Sequence, residues 1–157
     1  MELAGELIGG RFFSGINSLQ FASPSIAVEL EEAESLRGIY WMNATDPASL
    51  AGLEIEGLPY RLCSRAANNR LYFRNNALIA MSGRNGRDIQ IFMEPNDPDM
   101  AILISLLKIV RTRKVLPENN VLIEKINGQA AGASVFVPVF RDSGFISDRG
   151  KLYFWPE

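Results

Sequence analysis

Between Glu56 and Asp88 the chain contains no acidic residue, yet it carries six arginines set among alternating apolar positions and punctuated by Asn-Asn and Asn-Gly pairs. That combination leaves few folds open. Successive strand side chains point to opposite faces, so in the run from Arg70 to Arg74 the residues Leu71 and Phe73 share one face while Arg70, Tyr72 and Arg74 share the other. Arg61 and Leu62 separate in the same manner. Asn75-Asn76 and Asn85-Gly86 tolerate the positive φ of tight hairpin turns. The spacing therefore predicts an antiparallel meander, with Ala77 to Ser82 and Asp88 to Phe92 as its next strands.

Helices are expected on either side of the meander. Ser23 followed by Pro24 forms a capped helix start, and Ile26, Leu30 and Ala33 recur on one stripe before Gly38 ends it. Ile39 to Met42 then reads as a strand with both faces buried. Asp97 and Pro98 open a second helix whose buried face is Met100, Leu103, Leu106, Leu107 and Val110. Ile102, Ile104 and Ile109 make it apolar almost all round, which predicts a central core helix. Val121 to Ile126 reads as a strand closed by Asn127-Gly128. Ser134, Pro138 and Gly144 mark the cap, first turn and stop of a third helix, and Phe145 to Trp155 closes the chain as a hairpin. The expected fold is α+β: one domain over residues 1–157, with a mainly antiparallel, curled or barrel-like sheet and about three helices.

Residue types narrow the chemistry. The chain has no histidine, which removes the commonest general base and metal ligand, and no clustered carboxylates of the calcium-loop kind. A lone cysteine, Cys63, on an expected strand reads as a small apolar residue and excludes an internal disulfide, which fits a reducing cytoplasm. The loop from Ser82 to Arg87 lacks the spacing and the lysine of a phosphate-binding loop, and it joins two strands. The net charge of −2 conceals an uneven distribution, because nine acids face two arginines in residues 1–56. A neutral total can hide a basic face. Arg61, Arg65, Arg70 and Arg74 are candidate contacts for a nucleic-acid backbone, probed through forked guanidinium groups, with Tyr72 as a candidate stacking platform. The alternative is a solvated outer face, or arginines paired with acids of the same domain or its neighbours.

Three stretches carry a family likeness. The first is Gly5-Glu6, Gly9-Gly10-Arg11-Phe12, Gly15 and Gln20-Phe21-Ala22 with Pro24. The second is Thr45-Asp46-Pro47-Ala48 followed by Gly52. The third is Glu124-Lys125-Ile126-Asn127-Gly128 leading to Ser143-Gly144-Phe145 and Arg149-Gly150. In this order and spacing the chain resembles the C-terminal, DEAD/H-associated region of the large-helicase-related (Lhr) family of ATP-dependent DEAD/DEAH-box helicases. The resemblance implies a piece lying downstream of two RecA-like motor domains and winged-helix units. ATP and Mg would belong to those motor domains, and no cofactor to this segment, which has no Walker A lysine and no DEAD or DEAH tetrad. It implies a non-catalytic, cytoplasmic accessory domain whose partners are the upstream helicase domains and a single nucleic-acid strand, with no membrane partner. A purely structural or protein-interaction module is the alternative.

Overall fold

The structure, a computed structural model, describes residues 5–11, 18–26, 29, 38–55, 58–75, 77–112 and 120–155. Its central layer is a six-stranded sheet in the order β3-β4-β5-β6-β8-β9, formed by β3 (Ile39–Asn43), β4 (Arg70–Arg74), β5 (Ala77–Gly83), β6 (Asp88–Ile91), β8 (Lys125–Ile126) and β9 (Gln129–Ala130). All neighbours in it are antiparallel except β6 and β8, which pair in parallel through Asp88 with Lys125 and Ile89 with Ile126. A three-stranded antiparallel sheet runs β10 (Ile146–Asp148), β11 (Lys151–Phe154), β7 (Val121–Ile123). A separate hairpin joins β1 (Ile8–Gly10) to β2 (Gln20–Ala22). Two α-helices are described, α1 (Met100–Thr112) and α2 (Val137–Asp142). The expected first helix lies mostly outside the described residues.

The meander forms where the turn chemistry predicts. Asn75 adopts φ 55° after β4, and Arg84, Asn85 and Gly86 adopt φ of 52°, 58° and 80° between β5 and β6. The left-handed region suits Asn and Gly, so the chain reverses there without a long loop. A β-bulge interrupts the β4–β5 ladder: Tyr72 pairs with Ala80 and Phe73 with Leu78, which leaves Ile79 as the extra residue. One consequence is that Ile79 and Ala80, neighbours in sequence, both join the same buried cluster.

The sheets stay open, and the expected barrel-like closure does not occur. A barrel has one interior, whereas the six-stranded sheet has apolar side chains covered on both faces. Tyr72, Ile79, Ala80, Ile89 and Ile91 pack with Met100, Leu103, Ile104 and Leu107 of α1, and with Phe140, Phe145 and Leu152, in the main core. On the opposite face Leu71, Leu78 and Met81 pack with Ala44 and Ala51 in a second, smaller core. Residues 44–55 and 58–63 cover that face as irregular chain, tied by bonds such as Gly52 N–H to the Cys63 carbonyl at 2.8 Å. A sheet coated on both sides is a middle layer.

Four further expectations are corrected. The expected strand from Val121 to Ile126 breaks at Glu124 into β7 and β8, which belong to different sheets, and Arg61 and Leu62 lie in irregular chain, not in a strand. β3 is an edge strand with Tyr40 exposed, where burial on both faces was expected. α1 packs through one side only: Met100, Leu103, Ile104 and Leu107 are buried, while Ile102 and Ile109 are exposed. Around α2, Pro138 lies in the first turn, and Gly144 (φ 88°) follows its last turn as the sequence predicts.

Candidate nucleic-acid interface

Strand alternation does put Arg70, Tyr72 and Arg74 on one face, but that face is the one beneath α1. Tyr72 is 1% exposed and its hydroxyl lies 3.4 Å from the Ser82 hydroxyl in the main core, so the expected stacking platform is unavailable to a base. The reason is that periodicity groups residues by face without saying which face turns inward. Here the tyrosine ring decides it, with Trp41 and Ala80 paired on either side of it. The Arg70 guanidinium carbon sits 5.8 Å from the Trp41 ring centroid, within cation–π range. Arg74 Nη1 donates to both carboxyl oxygens of Asp97 at 3.0 Å and to Asp99 at 3.1 Å.

Those carboxylates belong to the segment that starts α1. Asp97 accepts the Asp99 amide at 2.9 Å, and the Asp99 carbonyl in turn accepts the Leu103 amide in the first helical turn. The Asp99 amide first, and then Arg74, hold the Asp97 carboxyl below the usual carboxylate range. Both carboxylates raise Arg74 above its ordinary value, Asp99 contributing most. Arg74 thus ties the end of β4 to the beginning of α1.

The two remaining predicted contacts lie on the opposite side. Arg65 donates from Nη2 to the Asp46 carbonyl at 2.9 Å and from Nη1 to the Ser49 carbonyl at 3.2 Å, bracing the loop from Thr45 to Gly52 from outside. Gly52 (φ 79°) completes this joint, because a Cβ there would meet the Arg65 Cβ at 3.3 Å. Arg61 extends into solvent, with its side chain 88% exposed and a weak contact to Glu54 at 3.4 Å. It borders an open groove of about 620 Å³ also lined by Asn68, Asn69, Arg84, Asp88 and Gln90. Beyond Arg61 the surface continues to Tyr60 and Phe92, stacked at 4.8 Å. The five predicted residues therefore do not gather on one wetted surface: Arg61 and Arg65 lie on one side of the sheet, Arg70, Tyr72 and Arg74 on the other.

Cys63 packs against the second core, and burial pushes its thiol up from the ordinary value, which favours the protonated form. Among the described residues no group of three or more His, Cys, Asp or Glu side chains could hold a metal ion. No helix among them is long and apolar enough to cross a membrane.

Sequence reasoning missed two arrangements. Asn127 imitates a strand: its side chain accepts the Ile91 amide at 2.7 Å and donates to the Ile91 carbonyl at 3.1 Å, extending the short β6–β8 pairing by one step. Only its place beside the last residue of β6 reveals this role. The second is a cluster of cations about Glu124. Lys151 Nζ and Arg84 Nη2 each lie 3.0 Å from one of its carboxyl oxygens. Lys151 first, then Arg84 and Arg87, hold its carboxyl below the usual range. These residues come from positions 84, 87, 124 and 151, too far apart for any local pattern. The chain matches no protein-family model and no curated relative.

Proposed function

We propose that the chain is a non-catalytic accessory unit of a large ATP-dependent DNA or RNA helicase of the large-helicase-related kind. In this reading it works in the cytoplasm, seated against motor and winged-helix units that carry the ATP chemistry, and it helps to hold a nucleic-acid strand. The observation that carries the proposal is the position of the residues on which the family likeness rests. Gly52, Gly128, Gly144 and Gly150 adopt φ of 79°, 79°, 88° and 77° at joints between elements. The Thr45–Ala48 stretch is the loop that Arg65 braces. The likeness therefore falls on residues that set the architecture, as expected of a shared scaffold and not of a shared catalytic site.

The outward side of α1 suits a unit that packs on neighbours. Ile102 and Ile109, seven residues apart on one stripe, are 47% and 58% exposed, and Ala101 and Ser105 on the same helix are exposed as well. Co-purification of this chain with the motor and winged-helix units encoded upstream of it tests the proposal. Ile102→Glu with Ile109→Glu is expected to abolish the association. An upstream coding sequence with no helicase motor motifs would sink the proposal outright.

The purely structural alternative draws on a specific observation of its own, the engagement of Arg65 and Arg74 within the chain. It predicts that the isolated chain fails to retain single-stranded DNA even at low salt.

A further inference from the structure

The outer face of the three-stranded sheet has the make-up of a base-stacking surface. Cross-strand register places Ile146, Tyr153 and Leu122 side by side in one row, and Asp148 beside Lys151 in the next. The alternate residues Leu152 and Ile123 point the other way, fully buried in the main core. Trp155, two residues beyond Tyr153, returns to the outer face and stacks on it with ring centroids 5.4 Å apart and planes 10° from parallel. Trp155 is 51% exposed and Ile146 58%. An aromatic pair held parallel at i and i+2, with the indole about half exposed, is a platform on which a further ring can stack.

Charge at the edge of this face selects among possible occupants. Glu124 is opposed by Lys151 and Arg84 in ion pairs at 3.0 Å, and it feels Arg87 as well. Arg149, 90% exposed, has only a loose contact to Asp148 at 3.9 Å. Among the described residues, four cations thus stand against Glu124 and Asp148 at the edge of this face. An apolar protein surface would leave that surplus unanswered, whereas a single-stranded nucleic acid meets both requirements, with bases for the rings and phosphates for the guanidinium and ammonium groups.

We propose that single-stranded nucleic acid binds across the outer face of β10, β11 and β7, its bases stacking on Trp155 and Tyr153 and its phosphates meeting Arg84, Arg87, Lys151 and Arg149. The inference rests on the strand-holding half of the proposed function and locates it away from Arg61, Arg65, Arg70 and Arg74. It is read by titrating the whole chain with a fluorescein-labelled oligothymidylate of about 20 nucleotides at low salt, following anisotropy and, with unlabelled oligonucleotide, tryptophan fluorescence.

The wild-type chain is expected to bind, to lose affinity steeply as salt rises, and to show quenched indole emission. Trp155→Ala should weaken binding about tenfold and remove most of the quench, while Trp155→Phe should restore most of the affinity. Arg84→Ala with Arg87→Ala should lower both the affinity and the salt slope. Unchanged affinity in Trp155→Ala together with loss in Arg61→Glu would move the strand to the groove beside Arg61, overturning this inference and leaving the proposed function standing. No binding by the wild-type chain would also overturn it, and co-purification with the motor units would then decide the proposed function separately.

Discussion

Arg74 shows how one side chain can change meaning between sequence and structure. In the sequence it is one of six arginines in a stretch without acids; in the fold it meets two carboxylates located 23 and 25 residues later. Because the folded Asp97 carboxyl lies below its unfolded value, near 3.9, its contribution to stability is complete above about pH 5 and is lost as pH falls through the folded value. Melting temperature should therefore drop between about pH 5 and 3, and Asp97→Asn should flatten that acid limb. Parallel limbs for the two proteins would contradict the assignment. Arg65 makes its contacts with backbone carbonyls at the surface, so Arg65→Ala should cost only about 1 kcal/mol, measured as a lower urea midpoint. Lys108 is another case of tertiary reassignment. It donates to the Ser143 carbonyl at the end of α2 with its amine 4.1 Å from the Phe154 ring centroid, and desolvation lowers its pKa.

At the scale of elements, the joints depend on close approach. Gly132 lies in the turn before α2, and a Cβ there would meet the Gly150 backbone at 2.9 Å. Its amide donates to the Gly150 carbonyl at 2.9 Å, which fastens this turn to the β10–β11 hairpin. Gly132→Ala must push two backbones apart and should cost about 1–3 kcal/mol, seen as a lower melting temperature. Asn127→Ala removes both bonds to Ile91 and leaves partly buried backbone groups without that partner, for a loss of about 2 kcal/mol in chemical unfolding. Asn127→Asp, which retains an acceptor but no amide donor, should fall between the two. If Asn127→Ala unfolds at the wild-type urea midpoint, the strand-mimicking role is wrong. The bulge at Ile79 has a similar standing: it turns two consecutive apolar residues toward α1, an arrangement that strict alternation forbids.

For the molecule as a whole, the decisive feature is a central sheet with two covered faces. α1, α2 and the three-stranded sheet build the larger core, while a stretch with almost no regular structure builds the smaller one. Among the described residues, that arrangement leaves Ile102 and Ile109 on the outer side of α1, and Ile146 and Trp155 on the outer side of the three-stranded sheet, exposed. Ile102→Glu with Ile109→Glu should change the stability of the isolated chain by no more than about 0.5 kcal/mol, because neither residue is buried. A large fall in melting temperature would mean that this stripe serves the fold of the chain itself and not a neighbouring unit.

The sequence by itself determined the meander from β4 to β6, the presence of α1 and the joints at Asn127-Gly128 and Gly144, because turn residues and period-two or period-3.6 patterns act within a few residues. It also correctly grouped Arg70, Tyr72 and Arg74 on one side of β4. Tertiary structure alone decided that this side faces inward, that Arg74 meets Asp97 and Asp99, and that Arg84 and Lys151 converge on Glu124. The physical reason is that local patterns fix the direction of a side chain relative to its own strand, whereas the surroundings it meets are set by segments tens of residues away that pack over it.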